Sequence, residues 1–156
     1  MKSIELIGKG KEMHGRAYIE VMPDELENAI KKLKENGFNH FVMLSCIDWL
    51  EEEKFELVYH LWSYEVKEHV MLSVRMNRNN ASMPSMSHLF PQIETYEREI
   101  HEMYGIEFDG NNRLTPFLLE NWHHAPPMRK DFDSEKFVGK LYESIPFIEE
   151  DENEGI

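Results

Sequence analysis

The chain has 156 residues, of which 41% are hydrophobic and 12% are aromatic. This length and composition suit one domain with a single apolar core, and they argue against global disorder. The formal net charge of −13 at pH 7 argues against nucleic acids and anionic membrane surfaces as partners. No stretch approaches the roughly 18 to 20 apolar residues of a membrane-spanning helix, and residues 1–10 lack the apolar run of a signal peptide.

Cys46 is the only cysteine. One thiol cannot close an intrachain disulfide, and it cannot by itself hold an iron–sulfur cluster or a cysteine-rich zinc site. Because Cys46 lies in an apolar segment, we expect it to act as a small hydrophobic side chain rather than a nucleophile. A reducing cytoplasm is the expected location, and no cofactor is expected in this chain.

The first half of the chain predicts strands around one helix. Residues 16–21 alternate as a strand does, and residues 24–36 repeat apolar side chains at helical spacing, with Gly37 as the stop. The helical stripe consists of Leu26, Ala29, Ile30 and Leu33. Residues 41–47 are continuously apolar and predict a central strand, while residues 55–62 and 70–74 alternate with a period of two. Short turns join these last three segments, which predicts an antiparallel meander with the helix on one face.

Residues 93–104 predict a second helix, which Gly105 ends. Its apolar stripe consists of Ile93, Tyr96, Ile100, Met103 and Tyr104. At about 100° per residue, Glu97 and Glu99 fall at the two margins of this stripe, while Arg98 points away from it. Packing within the chain would therefore not explain Arg98. Glu94 and Glu102 are spaced to form ion pairs with Arg98 on the helix surface.

The remainder of the chain predicts little regular structure. Residues 106–108 suit a short strand, and the prolines that follow argue against long elements. The fold class is therefore α+β: an antiparallel sheet meander with helices packed on one face, followed by an irregular Pro-containing C-terminal extension. We divide the chain into a domain (1–132), the irregular extension (133–148) and an acidic tail (149–156). The tail is typical of a solvated end, and docking on a basic partner is the alternative.

A metal site is the main candidate for chemistry within the chain. Its possible ligands are Glu97, His101, His123, His124, Asp131 and Asp133. Glu97 and His101 are one helical turn apart and could share an ion, which would make the chain a freestanding metal-dependent enzyme. The simpler interpretation is that no metal binds: the histidines are polar loop residues, and Glu97 and His101 form an ion pair at the margin of the apolar stripe. The glycines do not have the spacing of a dinucleotide-binding or P-loop motif.

Three blocks of sequence form a recognisable pattern. Residues 84–91 read Pro-Ser-Met-Ser-His-Leu-Phe-Pro, residues 96–106 read Tyr-Glu-Arg-Glu-Ile-His-Glu-Met-Tyr-Gly-Ile, and residues 126–132 read Pro-Pro-Met-Arg-Lys-Asp-Phe. Weaker matches lie at Asp48, at residues 58–61 and at residues 108–110. Together these blocks resemble the 30-kDa subunit, also called the C subunit, of respiratory complex I and of membrane-bound nickel–iron hydrogenase-like complexes.

The resemblance implies a structural subunit without a redox centre of its own. It implies docking on a large catalytic, D-like partner beside small iron–sulfur subunits, which would hold the iron–sulfur clusters and, in hydrogenase-like complexes, nickel–iron. The chain would lie at the cytoplasmic face of the cell membrane, held there only by the complex, and would support electron transfer coupled to ion translocation. The interface candidates carried over from the family are Glu97, Arg98, Glu99, Gly105, Arg129, Lys130 and Asp131. Arg98 is the expected anchor, since arginine is enriched at interfaces.

The sequence also departs from the complex I pattern. Gly110-Asn-Asn112 stands where complex I members commonly have Gly-His-Pro, and residues 92–95 lack a tryptophan often found there. These departures favour a hydrogenase-like, ferredoxin-linked complex over an NADH:quinone oxidoreductase proper. A generic acidic adaptor without a redox partner is a further alternative.

Overall fold

A computed structural model describes residues 1–144 of the chain. Its helices are α1 (Lys2–Ile7), α2 (Leu26–Glu35), α3 (Ile93–Tyr104) and α4 (Ser134–Ser144). Its strands are β1 (Lys11–Met13), β2 (Arg16–Val21), β3 (His40–Trp49), β4 (Lys54–Ser63), β5 (Glu68–Asn77), β6 (Ser82–Pro84) and β7 (Glu107–Asp109). The predicted strands and both predicted helices are therefore present. Among the helices described, none is both long and apolar enough to cross a bilayer.

Five strands form one mixed sheet in the order β1-β2-β5-β4-β3. Strands β3, β4 and β5 are antiparallel neighbours, which confirms the predicted meander. Strand β2 pairs in parallel with β5, from Arg16 opposite His69 to Val21 opposite Val74. A parallel pair needs a long crossover connection, and α2, β3 and β4 together provide it. Strands β6 and β7 form a separate parallel pair.

The prediction that residues 41–47 form a central strand is wrong. Strand β3 is the last strand of the five-stranded sheet, and α3 covers the beginning of its apolar run. The Tyr96 ring packs edge-on against Phe41, with 5.4 Å between ring centroids, and the Tyr96 hydroxyl donates a hydrogen bond to the Val42 carbonyl at 3.3 Å. The pairing register also shifts between Phe41 and Met43, as at a β-bulge.

The core lies on one face of the sheet. Alternate residues of β4 are completely buried: Phe55, Leu57, Tyr59 and Leu61. The predicted stripe of α2 and the buried residues of α3 belong to the same apolar cluster, which confirms an α+β fold with helices packed on one face. Full burial of each large apolar side chain contributes about 1.5–3 kcal/mol, so this cluster is the main source of stability.

The C-terminal extension is less irregular than predicted. Residues 110–133 form neither helix nor strand, but α4 follows them within the segment predicted to be irregular. A carboxylate oxygen of Asp133 accepts a hydrogen bond from the Lys136 amide at 2.9 Å, and such a cap is a typical signal for a helix start. The end of the extension (145–148) and the acidic tail (149–156) lie outside the described residues.

Candidate subunit-interface site

Glu97 is an internal residue of the fold. Its side chain is completely buried, and its carboxylate accepts hydrogen bonds from the Ser85 hydroxyl (2.7 Å), the Met86 amide (2.9 Å) and the Asn111 side-chain amide (2.9 Å). Burial raises the pKa of Glu97, and these hydrogen bonds oppose the shift without cancelling it. Glu97 thus ties α3 to the segments on either side of it in sequence, rather than facing a partner directly.

Arg98 is half-buried by the segment that follows β7. Its guanidinium donates a hydrogen bond to the Pro116 carbonyl at 3.0 Å and lies 4.9 Å from the centre of the Phe117 ring, close enough for a cation–π contact. The expectation that packing within the chain would not explain Arg98 is therefore wrong. Among the described residues, Glu94 forms its ion pair with Arg113 (3.3 Å) rather than with Arg98.

Glu102 holds the same segment through its backbone. Its carboxylate accepts hydrogen bonds from the amides of Phe117 (3.0 Å), Leu118 (2.8 Å) and Leu119 (3.1 Å). Burial raises the pKa of Glu102, but the three amides and the nearby Arg98 together lower it by a larger amount. The net shift of the pKa is therefore downward. Helical spacing predicts only a surface ion pair for Glu102. It could not predict these three hydrogen bonds, because their donors follow Glu102 by 15 or more positions.

Gly105 and Arg129 form one contact at the end of α3. Gly105 has φ of 73°, and its amide donates to the His101 carbonyl at 2.8 Å, which confirms the predicted helix stop. A Cβ at this position would lie 3.0 Å from both the Arg129 guanidinium and Pro126. Arg129 in turn donates to the Tyr104 carbonyl at 2.6 Å. Glycine is needed here both for backbone conformation and for space.

Arg78 joins two acidic residues, and no local sequence pattern indicates this role. Its guanidinium donates to both carboxylate oxygens of Asp48 (2.9 and 3.1 Å) and to Asp131 (3.0 Å). The other Asp48 contact is the Lys130 amide, at 2.9 Å. Arg78 is 9% exposed and Asp48 is 4% exposed, so this is a buried ion pair. The Arg78 hydrogen bond lowers the pKa of Asp131.

The seven interface candidates therefore divide into two groups. The larger group makes contacts within the fold: Glu97, Arg98, Gly105, Arg129 and Asp131. Glu99 and Lys130 have exposed side chains, and neither side chain forms a hydrogen bond or ion pair within residues 1–140. All seven belong to α3, to its stop at Gly105 or to the 126–132 segment, and the Met128 amide joins this segment to α3 by donating to the Met103 carbonyl at 3.0 Å.

A groove of about 490 Å³ lies between β3, α3 and the C-terminal segment. Its exposed apolar side chains are Met43 (42% exposed), Leu118 (57%) and Met128 (56%). Cys46 also lines it, and burial raises the pKa of this thiol to about 12. Cys46 is thus protonated at neutral pH, as its apolar segment led us to expect. We call this feature the β3–α3 groove.

The candidate metal ligands are not brought together. The Glu97 carboxylate points to Ser85 and Asn111, while the His101 ring donates to the Ile106 carbonyl at 3.0 Å. His124 packs against Phe137, with 4.7 Å between ring centroids. Across the part of the chain that the structure describes, no three His, Cys, Asp or Glu side chains converge as a metal site.

Relatives of the chain are respiratory subunits. The C subunit of NADH-quinone oxidoreductase from Phenylobacterium zucineum is 34% identical over 110 residues, which cover 70% of this chain and 52% of that protein. The C subunit from Moorella thermoacetica is 34% identical over 113 residues, covering 72% of this chain and 76% of the relative. The C/D subunit from Citrobacter koseri is 39% identical over 85 residues, covering 54% of this chain and 14% of the relative. The chain thus spans about half the length of the Phenylobacterium relative.

Solved structures share the fold. A chain of the archaeal membrane-bound sulfane sulfur reductase superposes with a TM-score of 0.84 at 30% identity, over 99% of this chain and 95% of that chain. A trypsin-resistant fragment of Nqo5 superposes with a TM-score of 0.63 at 20% identity, over 75% of this chain and 95% of the fragment, and shows likeness of fold alone. Residues 19–138 match the family described as "Respiratory-chain NADH dehydrogenase, 30 Kd subunit". The resemblance read from the three sequence blocks is confirmed: this chain belongs to the family of the 30-kDa subunit of respiratory-chain NADH dehydrogenase.

Proposed function

We propose that the chain is a non-catalytic structural subunit in the hydrophilic arm of a membrane-bound, complex I-like oxidoreductase, where it docks on the large catalytic subunit. The observation that carries this proposal is the Citrobacter koseri relative, a single protein that combines C and D in its name. Fusion holds two chains at a high effective concentration, so it supports a D-like partner for this chain.

The chemistry of the motif residues supports a structural role. A general acid or base must reach a substrate, but Glu97 is completely buried and Glu102 is held by three backbone amides. Cys46 is held as a thiol, and a thiol is a poor nucleophile. The proposal therefore places the redox centres in partner subunits: iron–sulfur clusters in the small ones and, in a hydrogenase-like complex, nickel–iron in the large one.

Within this family, we favour a group 4 hydrogenase-like, ferredoxin-linked complex. The likeness to a chain of the archaeal sulfane sulfur reductase covers 99% of this chain and agrees with the departures from the complex I pattern. The 30-kDa subunit of an NADH:quinone oxidoreductase proper is the second candidate, favoured by the Moorella and Phenylobacterium relatives. In either complex, the chain would be peripheral on the cytoplasmic face and would support electron transfer coupled to ion translocation.

Affinity purification from solubilised host membranes tests this proposal. A tagged chain should recover a large catalytic subunit and small iron–sulfur subunits, identified by mass spectrometry. The cysteines of the recovered large subunit would separate the two candidates, because a nickel–iron site needs thiolate ligands. Recovery of the chain alone in mild detergent, or substrate turnover by the isolated chain, would contradict the proposal.

A further inference from the structure

The β3–α3 groove runs along the edge of the sheet that has no neighbour among the described strands. Strand β3 ends the strand order, and four consecutive residues, 43–46, line the groove. Successive side chains of a strand point to opposite faces of the sheet. Because β3 has no pairing partner on its outer side among the described strands, a groove lined by four of its residues in a row lies along that edge, where the unpaired backbone groups of an edge strand lie.

The start of this edge is protected against pairing with other chains, because α3 covers Phe41 and Val42 and the pairing register shifts there, but residues 43–46 face the groove. Edge strands commonly carry charged side chains or proline, yet residues 41–47 include neither. The exposed side chains of Met43, Leu118 and Met128 surround the groove with apolar surface. An apolar surface beside an open strand edge is typical of a place where another chain binds.

Glu99 gives the groove its charge. Among the described residues, it is the only charged one that lines the groove, and it is exposed. Glu97 and Glu102, in the same helix, are occupied by internal donors, whereas the Glu99 carboxylate has no hydrogen-bond partner within residues 1–140. A cationic side chain that enters the groove would meet an acceptor that no internal donor occupies.

We propose that the β3–α3 groove binds an extended segment of the large catalytic subunit, which lies along β3, places apolar side chains in the groove and pairs an arginine or lysine with Glu99. This inference rests on the proposed function. A second copy of the chain is a poor occupant, because each copy carries a net charge of −13 and offers the same acidic groove.

The first test reverses the charge of the groove in the tagged chain. Glu99→Lys should lower the amount of large subunit recovered by about tenfold, since an opposed cation then repels the entering segment. Glu12→Lys is the matched control: it makes the same charge change at an exposed position of β1, at the opposite end of the strand order. Equal recovery with Glu99→Lys and with the control would overturn the groove assignment, while failure of the wild-type chain to recover the large subunit would overturn the proposed function.

The second test does not depend on retention or stability of a charge variant. Met128→Cys, with Cys46→Ser to remove the native thiol, places a maleimide-reactive group at the groove. Maleimide should label it at least about tenfold more slowly in the assembled complex than in the released chain, while Glu12→Cys in the same background should label equally in both. A photo-crosslinker attached at Met128→Cys should join the large subunit. Equal labelling in both states, or a crosslink to another subunit or a second copy, would overturn the inference.

Discussion

Replacing Arg78 tests how firmly the C-terminal segment is held. Arg78→Met removes the guanidinium but keeps most of the aliphatic stem. It leaves the carboxylate of Asp48, a residue that is 4% exposed, with the Lys130 amide as its one hydrogen-bond donor among the described residues. Breaking a buried ion pair by removing one partner costs about 3–5 kcal/mol, because the remaining charge is uncompensated. We therefore expect the free energy of unfolding to fall by about this amount.

Two comparison variants separate the causes of this loss. Asp131→Asn removes the other carboxylate of the network, but the Asp131 side chain is 51% exposed, so the loss should be about 1 kcal/mol or less. The double variant Asp48→Leu with Arg78→Met removes both buried charges, and it should be more stable than Arg78→Met alone.

Urea unfolding of the full-length chain, followed by tryptophan fluorescence, gives these free energies. The buried-pair reasoning is refuted if Arg78→Met costs no more than Asp131→Asn, or if the double variant is less stable than Arg78→Met. Either result would mean that Asp48 is solvated well enough to tolerate its charge without the guanidinium.

Three further predictions concern α3 and its surroundings. Gly105→Ala should lower the free energy of unfolding in urea by at least about 1 kcal/mol more than Gly15→Ala lowers it. Both positions have φ near 70°, but only a Cβ at 105 meets neighbours at 3.0 Å; equal costs would disprove the crowding. The stability of the wild type relative to Glu97→Gln should rise as pH falls from neutral towards 4.5, the ordinary glutamate pKa. Burial raises the Glu97 pKa above 4.5, so the native state binds a proton before the unfolded chain does, and a pH-independent difference would contradict this. Glu102→Gln should speed hydrogen exchange of amides 117–119 by about tenfold, because those three amides donate to its carboxylate; unchanged exchange rates would show that these hydrogen bonds do not hold the segment.

Local periodicity was sufficient to predict much of this fold. The stripe of α2 depends only on residues three and four positions apart, and all four of its predicted members are buried. The C-terminal stop of α3 at Gly105 is similarly local. Such signals arise within one element, so a single sequence contains them in full.

Contacts distant in sequence could not be predicted in the same way. Arg78 follows β5 and pairs with acids 30 and 53 positions away, and no periodic pattern connects those positions. The helical wheel of α3 contains no information about residues 115–119, so it left Arg98 apparently uncovered. The apolar run of β3 is only partly buried, since Phe41 and Leu44 are buried whereas Met43 and Ile47 are 42% and 39% exposed. Its continuity could not distinguish a central strand from an edge strand partly covered by α3.

The acids of α3 show why a family motif combines fold and function. Glu97, Glu99 and Glu102 have the same chemistry and lie within two turns of one helix, yet only Glu99 has no internal donor among the described residues. Substitution of Glu97 or Glu102 should therefore reduce recovery of the large subunit only in proportion to a measured loss of stability. Glu99→Lys should reduce that recovery while urea unfolding of the isolated chain stays within about 0.5 kcal/mol of the wild type. If recovery followed stability equally for all three residues, the motif would act through the fold alone, and Glu99 would have no separate role at the interface.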